Sequence, residues 1–225
     1  MKISIKRDEK LVDYETRLGN ITLLEALNYI KTKIDPTLTF DQGCRSGVCG
    51  SCGVVVNNKE VLSCSYKVCD GDTVEPLRRT RVIRDLVVSS EMIEAKNRSV
   101  GAFSSGVSSE IKSSEMIQSD CILCGLCYSS CPVYDYNSEF AGPFALTRIW
   151  RYVSDEREMG SSKKIADIQQ NGIWDCTLCN ECVLVCPANI APKQDILMLR
   201  TKSGMMGYSD PNMSFGGGLD FGVQF

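Results

Sequence analysis

The chain of 225 residues contains no histidine. The usual general base and the usual imidazole metal ligand are therefore both missing. No apolar run approaches the roughly 18 residues that a membrane span needs. The opening, "MKISIKRDEK", is charged and has no apolar core, so it does not read as a secretory signal. It alternates instead, Ile3 and Ile5 on one face and Lys2, Ser4 and Lys6 on the other, as a strand does. Net charge is −3, with no basic footprint for nucleic acid or anionic lipid. A phosphate loop and a paired-carboxylate motif are lacking too, so the residues offer no substrate chemistry of their own.

What the chain does have is thirteen cysteines in an otherwise ordinary globular composition, 43% apolar and 24% charged. Its length suits one or two domains. Dense cysteine in a small secreted chain means disulfides, but here most cysteines stand two or three residues apart within runs and no export signal precedes them. This favours a redox-active or metal-bound set in a reducing compartment.

The N-terminal part reads as a mixed α/β unit. Strands "KISIKR" and "LVDYETRL" run up to Gly19. Thr22 and Glu25 form a capping box ahead of the helix "LLEALNYI". After a cysteine loop at 44–52, "GVVVNNKEVLSC" reads as a hairpin turning at Asn57-Asn58. "TVEPL" is a further strand and "RVIRDLVVSSEMIEA" is expected to be a helix. Residues 99–114 are rich in Ser and Gly and read as a connector. From 115 the texture is helical: "ALTRIWRYVSDE" is amphipathic, and "PKQDILMLRTKSG" begins with Pro and stops at Gly. The expected division is 1–98, a connector 99–114, a helical domain 115–208 and a tail 209–225 bearing Phe215, Phe221 and Phe225, read as a docking arm or a disordered end.

Cys44, Cys49, Cys52 and Cys64 have the plant-type [2Fe–2S] ferredoxin spacing. Two irons need four soft thiolates, and a loop with Gly43, Gly47, Gly50 and Gly53 can wrap a cluster and aim N–H groups at its sulfurs. The runs "CILCGLCYSSCP" and "CTLCNECVLVCP" share one spacing, 55 positions apart. That is the bacterial ferredoxin pattern, in which the fourth cysteine ligates the other cluster. One cubane is expected on Cys121, Cys124, Cys127 and Cys186, the other on Cys131, Cys176, Cys179 and Cys182. Zinc is the competing reading of each set. Three clusters would add formally about −6 to the chain's charge and make the protein acidic. Cys69 is left over, a small apolar residue or a regulatory thiol.

The order of these motifs, "CRSGVCGSCG", the Cys64 spacing and then two Cys-Pro runs, resembles the iron–sulfur subunit of succinate dehydrogenase and fumarate reductase over roughly residues 1–200. The resemblance implies an α+β protein: a plant-type, β-grasp-like ferredoxin domain followed by a mainly helical two-cluster domain. It implies an electron wire from an FAD-containing flavoprotein subunit to a quinone-reactive membrane partner, and a chain that does not itself bind succinate. Most members carry a non-cysteine at the position of Cys179 and hold a [3Fe–4S] cluster there; this chain has the fourth cysteine. Thr177 stands where a polar ring residue is frequent, and Pro132 and Tyr136 stand where members line the quinone edge. The extra cysteine resembles variants whose third subunit is a Cys-rich, heterodisulfide-reductase-like protein. The alternatives are therefore a thiol-coupled fumarate reductase subunit and a free multi-cluster ferredoxin. The expected location is the cytoplasmic side of the membrane, peripheral through partners, with co-export alongside a signalled partner left open.

Overall fold

The structure is a computed structural model that describes residues 1–16, 19–101 and 117–211. Most of the connector and of the tail, including all three tail phenylalanines, lies outside the described residues.

The alternation at the start does form a strand. Lys2–Arg7 (β1) buries Ile3 and Ile5 and pairs antiparallel with Lys10–Glu15 (β2). Leu23–Lys33 (α1) follows with the expected capping box: the Glu25 N–H donates to Thr22 Oγ1 at 3.3 Å, and the Thr22 N–H donates to Glu25 Oε2 at 2.7 Å. Leu23, Leu27 and Ile30 recur at helical spacing and pack on the sheet. Gly53–Val56 (β3) and Lys59–Leu62 (β4) form the hairpin, with Asn57 and Asn58 both at positive φ as a type I′ turn requires. Asp72–Glu75 (β5) lies parallel to β1 and antiparallel to β3, giving the order β2-β1-β5-β3-β4. Four-residue β3 is buried on both faces. Val54 and Val56 meet the core under α1, while Val55 points the other way, into a cluster with Leu77, Leu126 and Val185.

One expected helix is different. Within "RVIRDLVVSSEMIEA", Val82–Arg84 (β6) and Val87–Val88 (β7) make a small hairpin, and helix begins only at Glu91–Ser99 (α2). The cause is Asp85. It adopts φ 47°, and its buried carboxylate accepts hydrogen bonds from Arg7 and from the Thr39 N–H, so the chain is pinned in a turn there. The β-branched neighbours then suit a strand.

The second half is helical: Leu126–Ser129 (α3), Pro143–Val153 (α4), Ser161–Asp167 (α5), Glu181–Leu184 (α6) and Pro192–Met205 (α7). Phe140, Phe144, Leu146, Ile165, Ile196 and Leu199 form its core, which also takes Ile93 from α2. The architecture is a mixed sheet with one covering helix, followed by a helical unit that includes two short cysteine-bearing helices, α3 and α6. No helix among the described residues is long and apolar enough to cross a membrane.

Candidate iron–sulfur sites

The loop before β3 wraps around its own sulfurs. The N–H groups of Ser46 and Val48 both donate to Cys44 Sγ at 3.4 Å, and the Cys44 N–H donates to Cys49 Sγ at 3.3 Å. The Ser46 side chain first, then the Ser46 and Val48 N–H groups and the Cys49 side chain, pull the Cys44 thiol down to about 6. Gly43 is a packing requirement: a Cβ there would stand 2.8 Å from Cys49 Sγ. Cys44 and Cys49 are exposed, whereas Cys52 and Cys64 are buried, and burial raises Cys52. The loop and the turn after β4 thus offer two exposed cysteines, Cys44 and Cys49, and two buried ones, Cys52 and Cys64.

The repeated runs share a backbone as well as a spacing. Leu123 and Leu178, each two residues after the first cysteine of its run, lie at φ 52° and 57°. Gly125 and Asn180, each one residue after the second cysteine, lie at φ 76° and 79° and begin α3 and α6. A leucine in the left-handed region costs roughly 1–2 kcal/mol, and such strain gathers at functional sites. Here it turns matching N–H groups inward: Leu123 N–H bonds Cys121, and Leu178 N–H donates to Cys176 Sγ at 3.4 Å.

The fold exchanges the last cysteine of each run. The thiols of Cys121, Cys124 and Cys127 are each acted on by the distant Cys186, Cys127 also by Cys182, and Cys121, Cys124, Cys127 and Cys186 line one apolar cavity with Ile122, Leu123 and Pro187. Cys131 is acted on by Cys176 and Cys179, and Cys182 by Cys176, Cys131 and Cys179. Burial pushes Cys124 and Cys131 to about 11 and Cys182 to about 12, so these thiols ionise only against a strong Lewis acid. Among the described residues, no three His, Cys, Asp or Glu side chains close tightly enough to hold a single ion. A sulfur-only donor set with N–H groups directed at it suits an iron–sulfur core.

Remaining expected residues fall at the edges. Cys179 and Thr177 are exposed. Pro132 opens a 3-10 turn, Pro132–Asp135, and Tyr136 follows it, 66% exposed. Burial and then Cys131, Cys176 and Cys179 raise the Tyr136 phenol, which places it beside the second set. Cys69 is exposed; its thiol donates to the Lys67 carbonyl at 3.8 Å and its N–H to Asp72 Oδ2 at 2.7 Å.

Two features were not anticipated. Gly50, at φ 77°, brings the first loop against the second: a Cβ there would lie 2.8 Å from Cys124 Cβ. Cations also face the second set. Arg200 of α7 donates to the carbonyls of Ile173 and Cys176, and Arg79 comes from the sheet-bearing half toward Cys131. The glycine-rich motif hinted at the first; nothing local in sequence marks Arg79.

Comparison with known proteins agrees with this geometry. A 2Fe-2S iron-sulfur cluster binding domain family matches residues 3–95, and a 4Fe-4S dicluster domain family matches residues 117–190. The fumarate reductase iron-sulfur subunit of Haemophilus influenzae is 36% identical over 219 residues, spanning 85% of this chain and 86% of that protein. The fumarate reductase iron-sulfur subunit of Escherichia coli is 36% identical over 226 residues, spanning 90% and 93%. A chain of the Mycobacterium smegmatis Sdh1 complex in the apo form has the same fold, with a TM-score of 0.84 at 23% identity over 92% of this chain and 97% of that one.

Proposed function

The chain belongs to the family of iron–sulfur subunits of fumarate reductase and succinate dehydrogenase, and on that premise we propose how its residues divide the work. It is an electron-transfer component of that oxidoreductase, with [2Fe–2S] and [4Fe–4S] clusters as cofactors. We assign Cys44, Cys49, Cys52 and Cys64 to the [2Fe–2S] cluster, Cys121, Cys124, Cys127 and Cys186 to the first cubane, and Cys131, Cys176, Cys179 and Cys182 to a second cubane. When bound, the clusters supply one-electron carriers that link a two-electron flavin to a partner elsewhere.

The observation that carries the assignment is the exchange of Cys131 and Cys186 between the two runs. The matching left-handed backbone at Leu123 and Leu178 extends it to Cys179, which occupies the conformational place of Cys124. The chain's residues otherwise hold and shield: the Ser46, Val48, Leu123 and Leu178 N–H groups bond thiolate sulfurs, and the apolar walls exclude water.

Members of the family work in complexes with flavoprotein and membrane subunits. We place the exposed Cys44, Cys49 and Val48 end at the flavoprotein, and the end with Tyr136, Pro132 and the exposed Leu184 at a quinone-reactive membrane subunit. The protein then sits peripherally on the cytoplasmic side. Division into 1–98 and 115–208, joined by 99–114 and followed by the tail 209–225, completes the reading. The thiol-coupled alternative rests on Cys179 and is not favoured by the match to the two bacterial fumarate reductase subunits, and no observation among the described residues favours a free carrier.

The test is iron and acid-labile sulfide content with low-temperature EPR on the anaerobically purified complex. One two-iron and two four-iron centres are expected. A single cubane would overturn the assignment, and purification without any flavoprotein would overturn the placement.

A further inference from the structure

Arg79 follows β5 in the sheet-bearing half, but its side chain ends in the helical half. Its guanidinium donates to the Ser129 carbonyl and, through Nε and Nη2, to the two carboxylate oxygens of Asp135 at 2.8 and 2.7 Å. Ser129 precedes Cys131 by two residues and Asp135 follows it by four, so the pair brackets the turn that carries Cys131. Arg79 and Cys131 act on each other electrostatically in both directions. The two members of the pair are unequal: the Arg79 side chain is 19% exposed and that of Asp135 is 62% exposed. Water screens the outer charge more than the inner one. Cys131 therefore feels a net positive charge from an ion pair that is formally neutral.

We propose that the Arg79–Asp135 pair sets the reduction potential of the terminal cluster from across the boundary between the two halves, Arg79 raising it and Asp135 moderating it. This rests on the assignment of Cys131 to that cluster. Reduction there adds one electron, taken from the neighbouring cubane, and one unit of negative charge beside Cys131. A fixed cation stabilises the added charge, and cluster potential follows net charge and its surroundings. Arg200 and Lys193 also act on this set, through Cys176, but both lie on α7 within the same half. Arg79 is the contribution that requires the halves to be docked. Arg79 is a positioning residue here, acting on the ligand loop by charge and not touching a substrate.

EPR-monitored redox titration of the assembled complex tests this with R79Q, R79K and D135N. The terminal potential should fall in R79Q, fall less in R79K and rise in D135N, and the [2Fe–2S] potential should move less in each. Shifts of the same sign in R79Q and D135N, or no shift in either, would overturn the proposal. Should R79Q fail to assemble, D135N at its exposed carboxylate decides alone: a rise supports the proposal and anything else defeats it. A fourth variant, C131A, separates this from the ligand assignment. If C131A loses one cubane, unmoved potentials in the charge variants count against Arg79 alone. If C131A keeps both cubanes, the ligand set itself is wrong and the inference falls with it.

Discussion

Gly50 and Cys124 touch across the two halves of the molecule so closely that a Cβ on Gly50 would lie 2.8 Å from Cys124 Cβ and 2.9 Å from its Cα. One residue between two cysteines of the first loop thus abuts a cysteine of the second. On the assignment proposed above, this contact would set the gap between the [2Fe–2S] site and the first cubane site.

G50A should open that gap. The variant faces a clash with backbone as well as side chain, and φ 77° is itself unfavourable for alanine by roughly 1–2 kcal/mol. The expected outcome is a lower unfolding midpoint and slower passage of electrons from the [2Fe–2S] cluster to the first cubane, with all clusters still present. Rapid-freeze EPR after partial reduction measures the passage. Unchanged kinetics in a correctly loaded variant would show that Gly50 does not set the distance.

S129A should loosen the join by a different route. Ser129 is fully buried; its hydroxyl donates to Glu60 Oε1 and accepts from the Arg78 N–H, both at 2.8 Å. Removing it leaves a buried carboxylate and a buried N–H each short of a partner, at a cost of about 1–3 kcal/mol. Denaturant titration followed in the visible spectrum should show an earlier midpoint. A midpoint equal to that of the parent protein would mean that water replaces the hydroxyl.

C179S should convert the terminal cluster. Cys179 repeats the backbone place of Cys124, so on the proposed assignment a thiolate there would close an iron corner. Oxidised parent protein, prepared anaerobically, is expected to be EPR-silent at this centre, and the variant to show the near-isotropic signal of a three-iron cluster unless the serine oxygen retains the fourth iron. That signal at full occupancy in the parent protein would remove Cys179 from the ligand set.

D195N concerns pH. Asp195 lies buried on α7, bonded by Gln118 Nε2 at 2.9 Å, and burial raises its carboxyl to about 6. The folded state thus holds this proton more tightly than the unfolded chain, whose carboxyl titrates near the usual value of about 3.9. Stability is highest below the unfolded value, declines as pH rises to about 6, and stays reduced above it. The asparagine variant escapes the decline. Relative to the parent, it should be about 1–2 kcal/mol better off at pH 8 than at pH 4, after allowance for partial exposure. Equal differences at both pH values would argue that the carboxyl titrates normally.

The two iron–sulfur domains were legible because ligand spacing is local chemistry, and the proposed fourth-cysteine exchange follows from a known pattern of two-cluster ferredoxins. Thr22 and Glu25 announced α1 for the same local reason. The stretch 82–95 misled because its turn is fixed at Asp85 by Arg7 and Thr39, partners more than forty residues away. Leu123 and Leu178 look like core leucines in sequence; only their backbone angles reveal how the loops turn N–H groups onto sulfur. Arg79 was invisible for a related reason: its neighbour Cys131 is brought to it by docking of the halves.

The double burial of β3 has a consequence for biogenesis. Val54 and Val56 find α1 within the first part of the chain to be made, whereas Val55 and Leu77, beside Leu24 and Leu62 of that same part, complete their cluster only with Leu126 and Val185. During synthesis the N-terminal unit therefore emerges with an apolar face uncovered, beside a loop whose cysteines await iron. Apolar surface exposed in a nascent chain invites aggregation. Maturation is thus a matter of timing, since this face is completed only when the second half of the chain arrives.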